Sequence, residues 1–293
     1  MEPHWRKVLY ERQPYPDNYT DKSFLASVLT NANQVQLSFP RLVMDSAVVT
    51  RQVCAVTVFC VFFLHTYYAR LSAATLVVIE LLLLLAGWCG QRRVLQGASW
   101  RQMLRDATFA SEARQLALLV CWLLSLSPLL GTLTRTWSDD TICALTITLF
   151  LLHLTLHDYA YASHYTNRFR GTLSLNAAVF ASVLLAARLP STSLVFAVMA
   201  LAVQIFVLLP AQWRLLSRSM SGMQEAISTG MLVLLTTAML AFSNVLVIIY
   251  LSCILVISLL CPWLLVHLQH KKADISGPWD AAIRAFLLAP NER

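Results

Sequence analysis

The chain has 293 residues, of which 58% are hydrophobic and only 13% are charged, and its formal net charge is +7. Soluble domains contain about 25% charged residues, so this composition excludes an ordinary soluble domain and indicates that lipid surrounds most of the chain. The cations lie in loops beside apolar runs, which is typical of membrane topology, and we expect no nucleic-acid partner.

Residues 1–46 are predicted to form a head in the cytosol. They are polar and aromatic, and they lack the apolar stretch of a signal peptide. Prolines and other turn formers are frequent up to about residue 20, which favours bends over helix. Apolar residues then recur at helical spacing and predict a short amphipathic helix on the membrane surface or on a partner protein: Phe24, Leu25, Val28 and Leu29.

Eight apolar stretches of 18 to 23 residues follow, and each is long enough to cross a bilayer as a helix. The predicted fold is therefore an all-α polytopic membrane protein with about eight transmembrane helices. The predicted transmembrane domain spans 47–268 and the predicted cytosolic tail spans 269–293. The predicted boundaries of the helices are 47–69, 72–90, 115–134, 141–160, 172–189, 192–213, 225–243 and 246–268.

The charges between these stretches predict the orientation. If the head lies in the cytosol, the cytosolic segments contain 18 Lys and Arg residues and the opposite segments contain three. This bias predicts that both termini are cytosolic. The longest loop, 91–114, combines basic residues with an apolar stripe. Two interpretations stay open for it: a basic amphipathic helix at the membrane surface, or arginines that only enforce topology.

The fifth stretch is predicted to be the central helix of the bundle. Small residues recur in it at every fourth position, which places them on one helix face. Within a membrane such a face lets another helix backbone approach closely. The predicted packing face consists of Ser174, Ala178, Ser182 and Ala186.

Glu80 is the only acid well inside a predicted span. A carboxylate at this depth costs roughly 2.5–3.5 kcal/mol on insertion scales, so we expect it to face protein or to be protonated. Arg51 is the partner that charge suggests, although at 1.5 Å per residue it lies about 10 Å closer to the cytosolic boundary. A packing contact between helices is favoured for Glu80 over a proton relay.

Polar residues end the fourth stretch. His153 and His157 share a helix face, and Asp158 follows them. A metal site would need a third ligand, so no metal is predicted, while a lipid-headgroup rim and simple anchoring at the interface stay open. At the other end of this stretch, Asp139 or Asp140 is expected to cap the helix rather than to serve catalysis.

The sequence lacks the motifs of a nucleotide site or a hydrolase, since it has no P-loop, GxGxxG, nucleophile elbow or HExxH. Its seven cysteines lie in apolar stretches without CxxC spacing, which predicts neither disulfides nor a zinc site. We therefore expect no catalytic residue and no cofactor in this chain.

Five segments together resemble one family. They are KVLYERQPYPDNYTD at 7–21, DDTICAL at 139–145, HDY at 157–159, SLNAAVFASVLLAARLP at 174–190 and GPWD at 277–280. In this order they resemble the PIG-C subunit of the phosphatidylinositol N-acetylglucosaminyltransferase complex over nearly the whole chain. The head segment is long and specific, whereas the apolar stretches match loosely.

The resemblance implies a multi-pass subunit in the endoplasmic reticulum membrane. The complex of that family transfers GlcNAc from UDP-GlcNAc to phosphatidylinositol on the cytosolic face, the first step of GPI-anchor biosynthesis. The resemblance places the glycosyltransferase fold in another subunit, PIG-A. It implies further partners: PIG-H, PIG-P, PIG-Q, PIG-Y and a small dolichol-phosphate-mannose synthase subunit.

On this basis we expect a non-catalytic subunit that scaffolds the complex and helps to present the lipid acceptor. The residues expected to contact the lipid headgroup are His153, Asp158, Arg168, Arg170 and Asn176. The residues expected to contact partner subunits are Tyr10, Arg12, Pro14, Pro16, Asp17, Trp279 and Asp280.

A small-solute or lipid transporter is the alternative function. It would use the polar residues inside the spans: Arg51, Glu80, Asn176 and Gln204. Transporters often consist of inverted repeats, and the two halves of this sequence show no convincing similarity. A polytopic enzyme that uses Asp139 and Asp140 is the third hypothesis, although the loop beside these residues is short.

Overall fold

The computed structural model describes residues 10, 12–16, 19, 29–30, 37–96, 107–134, 136–159, 168–217, 222–240, 242–269, 271 and 275–276. The chain divides into two compact units, Met1–Phe39 with Trp263–Arg293, and Pro40–Pro262. In the first unit, β1 (Leu29–Thr30) pairs antiparallel with β2 (Ile275–Ser276). The remainder of the described secondary structure is helical.

The helices are α1 (Phe39–Tyr67), α2 (Ala73–Gln96), α3 (Ala107–Leu130), α4 (Asp139–Leu156), α5 (Arg168–Ala186), α6 (Thr192–Val203), α7 (Leu209–Ser217), α8 (Gly222–Leu240), α9 (Asn244–Leu255) and α10 (Cys261–Gln269). Two π-helical turns join four of these helices in pairs, so that each pair forms one longer continuous helix. Gln204–Leu208 joins α6 to α7, and Val256–Leu260 joins α9 to α10.

Each of the eight predicted stretches is helical over most of its length, which confirms the helical fold. Among the described residues, six helical segments are long and apolar enough to cross a membrane: Phe39–Tyr67, Ala73–Arg92, Ala110–Leu130, Asp139–Leu156, Thr192–Leu215 and Asn244–Gln269. Gly171–Ala186 and Gln224–Leu240 are apolar but shorter. The count of eight spans and the side of each terminus stay predictions.

Some helix boundaries differ from the predicted ones. α1 begins inside the predicted head, because Pro40 fits the first turn of a helix, where no backbone N–H is needed. α3 begins at Ala107, inside the predicted loop, and 97–106 of that loop lie outside the described residues. Leu29 was expected on a helix face but lies in β1 opposite Ser276. The rest of that predicted amphipathic helix, 20–28, also lies outside the described residues.

The start of α4 corrects the expectation that Asp139 or Asp140 caps the helix. Ser138 is the N-cap, and its side-chain oxygen accepts a hydrogen bond from the backbone N–H of Thr141 at 3.3 Å. The two aspartates lie in the first turn, where a carboxylate is stabilised by the positive end of the helix dipole. Ser138 is the cap because its backbone is extended, whereas Asp139 and Asp140 already lie within the helix.

Arg188 joins the ends of three helices on the same side of the second unit. Its Nη1 lies 3.1 Å from Oδ1 of Asp139 in α4. The guanidinium also donates to the backbone carbonyls of Thr134 and Trp137, in the segment that follows α3. Arg188 itself lies just beyond the end of α5, so one side chain ties α3, α4 and α5 together.

Each π-helical turn ends two residues before a proline. Pro210 follows the turn Gln204–Leu208, and Pro262 follows Val256–Leu260. A proline ring clashes with the carbonyl four residues earlier and has no N–H to donate. A wider π-helical turn before the proline avoids this clash and accommodates the missing N–H. The sequence predicts kinks at Pro128, Pro210 and Pro262. The irregularity takes this form before Pro210 and Pro262, whereas Pro128 lies inside α3 without a π-helical turn.

The core of the second unit lies where α1, α5 and α6 pack together. Large side chains from α1 and α6 fill it, and α5 supplies small ones. The four residues of the predicted packing face, Ser174, Ala178, Ser182 and Ala186, are fully buried. α5 packs along α4 and also contacts α6, as expected when small side chains permit close approach of helix backbones.

Candidate functional site

A cavity of about 460 Å³ lies where α4 ends and α5 begins, beside the Gln204–Leu208 turn and α7. Its volume falls within the range of about 300–1,000 Å³ that is typical of small-molecule sites. The polar residues that line it are His153, His157, Asp158, Thr172, Ser174 and Arg214. The apolar residues that line it include Leu175, Phe206, Val207 and Pro210.

The end of α4 positions two of the polar residues. His157 is the C-cap and has extended backbone, with φ −60° and ψ 138°, so the chain leaves the helix there. The hydroxyl of Tyr159 donates to the backbone carbonyl of Leu154 at 2.6 Å and fixes this exit. His157 and Asp158 consequently line the cavity instead of continuing around the helix.

Deeper in the bundle, His153 connects three helices. The ring is only 1% exposed. Its Nδ1 lies 2.9 Å from the backbone carbonyl of Ser174 and 2.8 Å from the hydroxyl of that serine in α5. Its Nε2 is hydrogen-bonded to the side-chain amide of Gln52 in α1. Both ring nitrogens of His153 are therefore used within the chain.

These contacts define the protonation pattern of the ring. A carbonyl only accepts hydrogen bonds, so Nδ1 of His153 must be the donor and Nε2 the acceptor from Gln52. The Ser174 hydroxyl donates to the carbonyl of His153 at 3.0 Å, which leaves its oxygen lone pairs free to face Nδ1–H. The network is satisfied internally and forms a polar cross-link among α1, α4 and α5.

An aromatic cluster supports this cross-link. The ring centroid of Phe206 lies 5.2 Å from that of His153, 5.3 Å from Phe59 and 5.8 Å from Phe150. Because Phe206 also lines the cavity, the apolar floor is part of the packed core. A rigid floor of this kind suits a site whose shape is formed before a ligand arrives.

His157 is neutral in this environment. Burial lowers the pKa of its ring to about 4, and the nearby His153 and the cation of Arg214 contribute to this decrease. A neutral imidazole offers one donor and one acceptor, whereas Arg214 supplies permanent positive charge on the other wall. The cavity thus combines a cation, a carboxylate, a hydroxyl and a neutral ring above an apolar floor.

Comparisons with known proteins decide the family. The chain matches the family model described as Phosphatidylinositol N-acetylglucosaminyltransferase over residues 5–280. The chain belongs to this family. The putative C subunit of phosphatidylinositol N-acetylglucosaminyltransferase from Dictyostelium discoideum is 37% identical over 278 residues, which cover 95% of this chain and 79% of the relative. The C subunit of Homo sapiens is 33% identical over 95% of this chain and 92% of the relative.

The GPI2 subunit of the same enzyme from Schizosaccharomyces pombe is 33% identical over 285 residues, covering 95% of this chain and 86% of the relative. No solved structure matches the chain. The matches extend over nearly the whole chain, as the resemblance of the sequence segments does, and they confirm the predicted family. Each of these relatives is named as a subunit of the transferase.

Of the five residues predicted to contact a headgroup, the structure brings two to the cavity, His153 and Asp158. Asn176 is exposed and does not line it. Arg168 and Arg170 lie in the first turn of α5, immediately before the lining residues of that helix. Their side chains fall outside the described part of the structure.

Arg214, like Thr172, is a lining residue that the sequence analysis did not identify as a site residue. It appeared there only as one of the cations that predict orientation. A signal was present, because Arg214 directly follows the predicted span 192–213, and cations are frequent where a span ends on the cytosolic side. Its proximity to His157 and Asp158, however, depends on how α7 packs against α4 and α5.

Arg51, the partner that charge alone suggested for Glu80, does not pair with it. Nη2 of Arg51 lies 3.7 Å from Oε2 of Glu225 in α8, and its guanidinium stacks over the ring of Trp213 in α7 at 4.8 Å. Glu80 faces a different side of the unit, where the side-chain amide of Gln204 donates to its backbone carbonyl at 3.2 Å. Rotation of each helix about its axis decides this pairing, and charge alone does not.

Part of the predicted partner surface lies in the described residues of the first unit. Tyr10, Arg12, Pro14 and Pro16 are all exposed there. The rings of Tyr15 and Tyr19 stack with centroids 4.2 Å apart, and the N–H of Tyr19 donates to the carbonyl of Pro16 at 2.9 Å. The remaining predicted partner residues lie outside the described residues: Asp17, Trp279 and Asp280.

Proposed function

We propose that this chain is a non-catalytic, multi-pass subunit of the endoplasmic reticulum complex that transfers GlcNAc from UDP-GlcNAc to phosphatidylinositol. This reaction is the first step of GPI-anchor biosynthesis. Family membership supports the subunit role, and the apolar helices support a membrane location. The partners that the resemblance implies are PIG-A, PIG-H, PIG-P, PIG-Q and PIG-Y, with the sugar-nucleotide site in PIG-A.

We propose further that the 460 Å³ cavity receives the headgroup of phosphatidylinositol. The cavity is the observation that supports this most strongly, because it places polar side chains beside an apolar floor at one end of the helices. With the predicted orientation, that end is the cytosolic one. A lipid acceptor of the transferase has this same division between a polar headgroup and apolar chains.

The chemistry of each wall fits one part of the headgroup. Arg214 is suited to the phosphate, since a guanidinium offers paired donors to phosphate oxygens. Asp158, Thr172 and the neutral ring of His157 offer acceptors and donors for inositol hydroxyl groups. Phe206 and Val207 provide apolar surface for the glycerol and the first methylenes of the acyl chains.

The other predicted residues take different roles in this proposal. His153 is a positioning residue, because its nitrogens are bound to Gln52 and Ser174 and it fixes α4 relative to α5. Arg168 and Arg170 are proposed to attract the anionic headgroup from the first turn of α5. Asn176 has no part in the site, since it does not line the cavity.

Gly171 allows the proposal to be tested with a matched pair of variants. A Cβ added at this helical position meets only the Cβ of Asp158, at 3.9 Å, which is an ordinary van der Waals distance. Gly171→Ala therefore keeps most of the cavity, and Gly171→Leu fills part of it. The assay is GlcNAc transfer by the purified complex in mixed micelles, with phosphatidylinositol and UDP-GlcNAc varied separately.

We expect Gly171→Leu to raise KM for phosphatidylinositol about tenfold or more, because the leucine side chain occupies space that the headgroup needs. KM for UDP-GlcNAc and the set of co-purifying subunits are expected to stay unchanged, and Gly171→Ala is expected to match the wild type. Wild-type kinetics for the phosphatidylinositol substrate in an intact Gly171→Leu complex would refute the headgroup site.

A further inference from the structure

A second cavity, of about 330 Å³, lies on the other side of the Gln204–Leu208 turn. It is a cleft between α2 and α3, which both pack against α6. Leucine and valine side chains form most of its walls, including Leu81, Leu84 and Leu123. The side chains of α2 and α3 are otherwise largely exposed over their apolar segments, so this face of the unit is available for contact.

Glu80 and Gln204 are the polar residues among those that line the cleft. Glu80 is 5% exposed, and its Oε1 is buried without a hydrogen-bond partner. Oε1 of Gln204 is also buried without a partner. Within the part of the chain that the structure describes, two acceptor oxygens therefore lie at the cleft with no donor. An unsatisfied buried polar group costs about 1–3 kcal/mol, so a ligand that supplies donors is favoured here.

Two of the described cations near these helices, Arg51 and Arg92, pair with other acids. Arg51, which charge suggests as the partner of Glu80, contacts Glu225 and Trp213. At one end of the cleft, Glu112 joins α2 and α3. Its carboxylate accepts from Arg92 at 2.7 Å and from the indole of Trp88 at 2.9 Å. This junction fixes the two helices, and none of the described cations forms an ion pair with Glu80.

The position of Glu80 along its apolar helix indicates which kind of molecule can supply the hydrogen-bond donor. Glu80 is the eighth residue of the apolar segment Ala73–Arg92, so at 1.5 Å per residue it lies about 10 Å or more from either end. Lipid headgroups and lipid hydroxyls lie at the bilayer surface, and acyl chains have no donors. A side chain on a transmembrane helix, in contrast, is held at any depth that its sequence dictates.

We propose that the cleft between α2 and α3 binds a transmembrane helix of another subunit, and that a hydrogen-bond donor on that helix satisfies Glu80 and Gln204. The partner helix has a narrow face, because small residues are needed for close approach, and it presents Ser, Thr, Asn or Lys near mid-span. Membership in a family of transferase subunits supplies the setting in which such a helix exists. The proposal is independent of the headgroup site.

Photocrosslinking in the intact complex tests the position of the partner. Benzoylphenylalanine is placed at Leu81, which lines the cleft and is 51% exposed. The control position is Leu82, which is adjacent, is 61% exposed and does not line the cleft. We expect position 81 to form a covalent adduct that mass spectrometry maps to one apolar segment of a co-purifying subunit, within one helical turn of a donor residue. Position 82 is expected to give at least fivefold less of this adduct.

Substitution of Glu80 tests the role of the acceptor. In the complex, Glu80→Leu is expected to reduce co-purification of that subunit about three- to twentyfold, which corresponds to one interhelical hydrogen bond in a membrane. Glu80→Gln retains an acceptor and is expected to keep co-purification near the wild-type level. Isolated Glu80→Leu chain is expected to melt at or above the wild-type temperature, because an unpaired polar group is removed, which separates loss of the partner from misfolding.

Three outcomes would overturn the proposal. They are adducts at position 81 with lipid or with a second copy of this chain only, equal labelling at positions 81 and 82, and full co-purification of the crosslinked subunit by the Glu80→Leu variant. None of these outcomes depends on the kinetics of the Gly171 variants, so the helix-binding proposal and the headgroup proposal can be refuted independently.

Discussion

Side chains from the same π-helical turn line both cavities of the second unit, but the buried polar residues beside the two cavities differ in their hydrogen bonding. Phe206 and Val207 face the first cavity, and Gln204 and Leu208 face the second. Beside the first, the buried polar residue His153 has partners for both ring nitrogens. Beside the second, the buried polar residue Glu80 has an oxygen with no partner.

The difference indicates what each region needs from outside the chain. The His153 network is complete, so the first cavity has a fixed wall before any ligand binds. The Glu80 cleft is incomplete, so its stable form requires a donor from elsewhere. Buried polar groups in folded proteins are overwhelmingly hydrogen-bonded, and an exception marks either strain or an absent partner. On this reasoning one region is built for a ligand and the other for assembly.

Removal of the His153 side chain is expected to give the largest effect. His153→Ala removes the partner of the Gln52 side chain, removes one hydrogen bond to the carbonyl of Ser174 and opens space in the core. We expect a loss of about 3 kcal/mol in the free energy of unfolding, from the missing packing and the unsatisfied groups. Thermal unfolding of the purified chain in detergent measures this loss.

Ser174→Ala is the control for that experiment, because it removes the hydroxyl but keeps the backbone carbonyl that Nδ1 contacts. It is expected to cost about 1 kcal/mol, as for one hydrogen bond. A His153→Ala protein as stable as the wild type would remove the contrast with Glu80, whose change to Leu is expected to be neutral or stabilising in the isolated chain.

Arg214 is expected to give the next effect, on binding rather than on stability. Arg214→Gln removes the cation from the first cavity and is expected to raise KM for phosphatidylinositol about tenfold, with kcat unchanged, which corresponds to about 1.4 kcal/mol of binding. Arg188→Gln is the matched control, since Arg188 pairs with Asp139 away from the cavity. An equal rise of KM in both variants would show that the effect comes from the loss of any positive charge and not from a contact within the cavity.

A decrease of pH is expected to give the smallest effect. The pKa of His157 is about 4 in the folded chain, below its ordinary value of 6.5. Between these values the unfolded chain binds a proton that the folded chain does not, so the stability present above pH 6.5 is lost as the pH falls toward 4. The melting temperature is therefore expected to decrease by a few degrees between about pH 7 and pH 5.

The control for the pH experiment is His157→Asn, which does not titrate in this range. It is expected to lose less stability than the wild type over the same interval. The charged and titratable groups around His157 are His153, Asp158 and Arg214. Equal losses in wild type and variant would assign the pH dependence to another group and would leave His157 without an electrostatic role in the cavity.

Several features of the fold were predictable because they depend on local composition. Long apolar stretches predict helices in lipid, and the eight predicted stretches are helical. Small residues at every fourth position predict a buried helix face, and Ser174, Ala178 and Ser182 are fully buried on α5. Prolines within the apolar stretches predict kinks, and a π-helical turn precedes Pro210 and Pro262 but not Pro128.

The candidate site was predictable only in part. His153 and Asp158 were identified because His153 shares a helix face with His157, four residues later, and Asp158 directly follows His157 at the helix end. Arg214 was missed, since it reaches the cavity from a helix that is about fifty residues away in sequence. The expected N-cap was also wrong, because Ser138 competed successfully with the aspartates that follow it.

The sequence by itself determined the all-helical fold with long apolar helices, the approximate positions of these helices and the family, because these depend on composition, on periodicity and on specific segments. Only the tertiary structure decided which polar groups meet: Arg51 pairs with Glu225, His153 joins Gln52 to Ser174, and Glu80 is left without a donor. The physical reason is that helices in lipid are apolar on nearly every side. Their sequences contain little information about rotation and crossing, and packing alone fixes which faces meet.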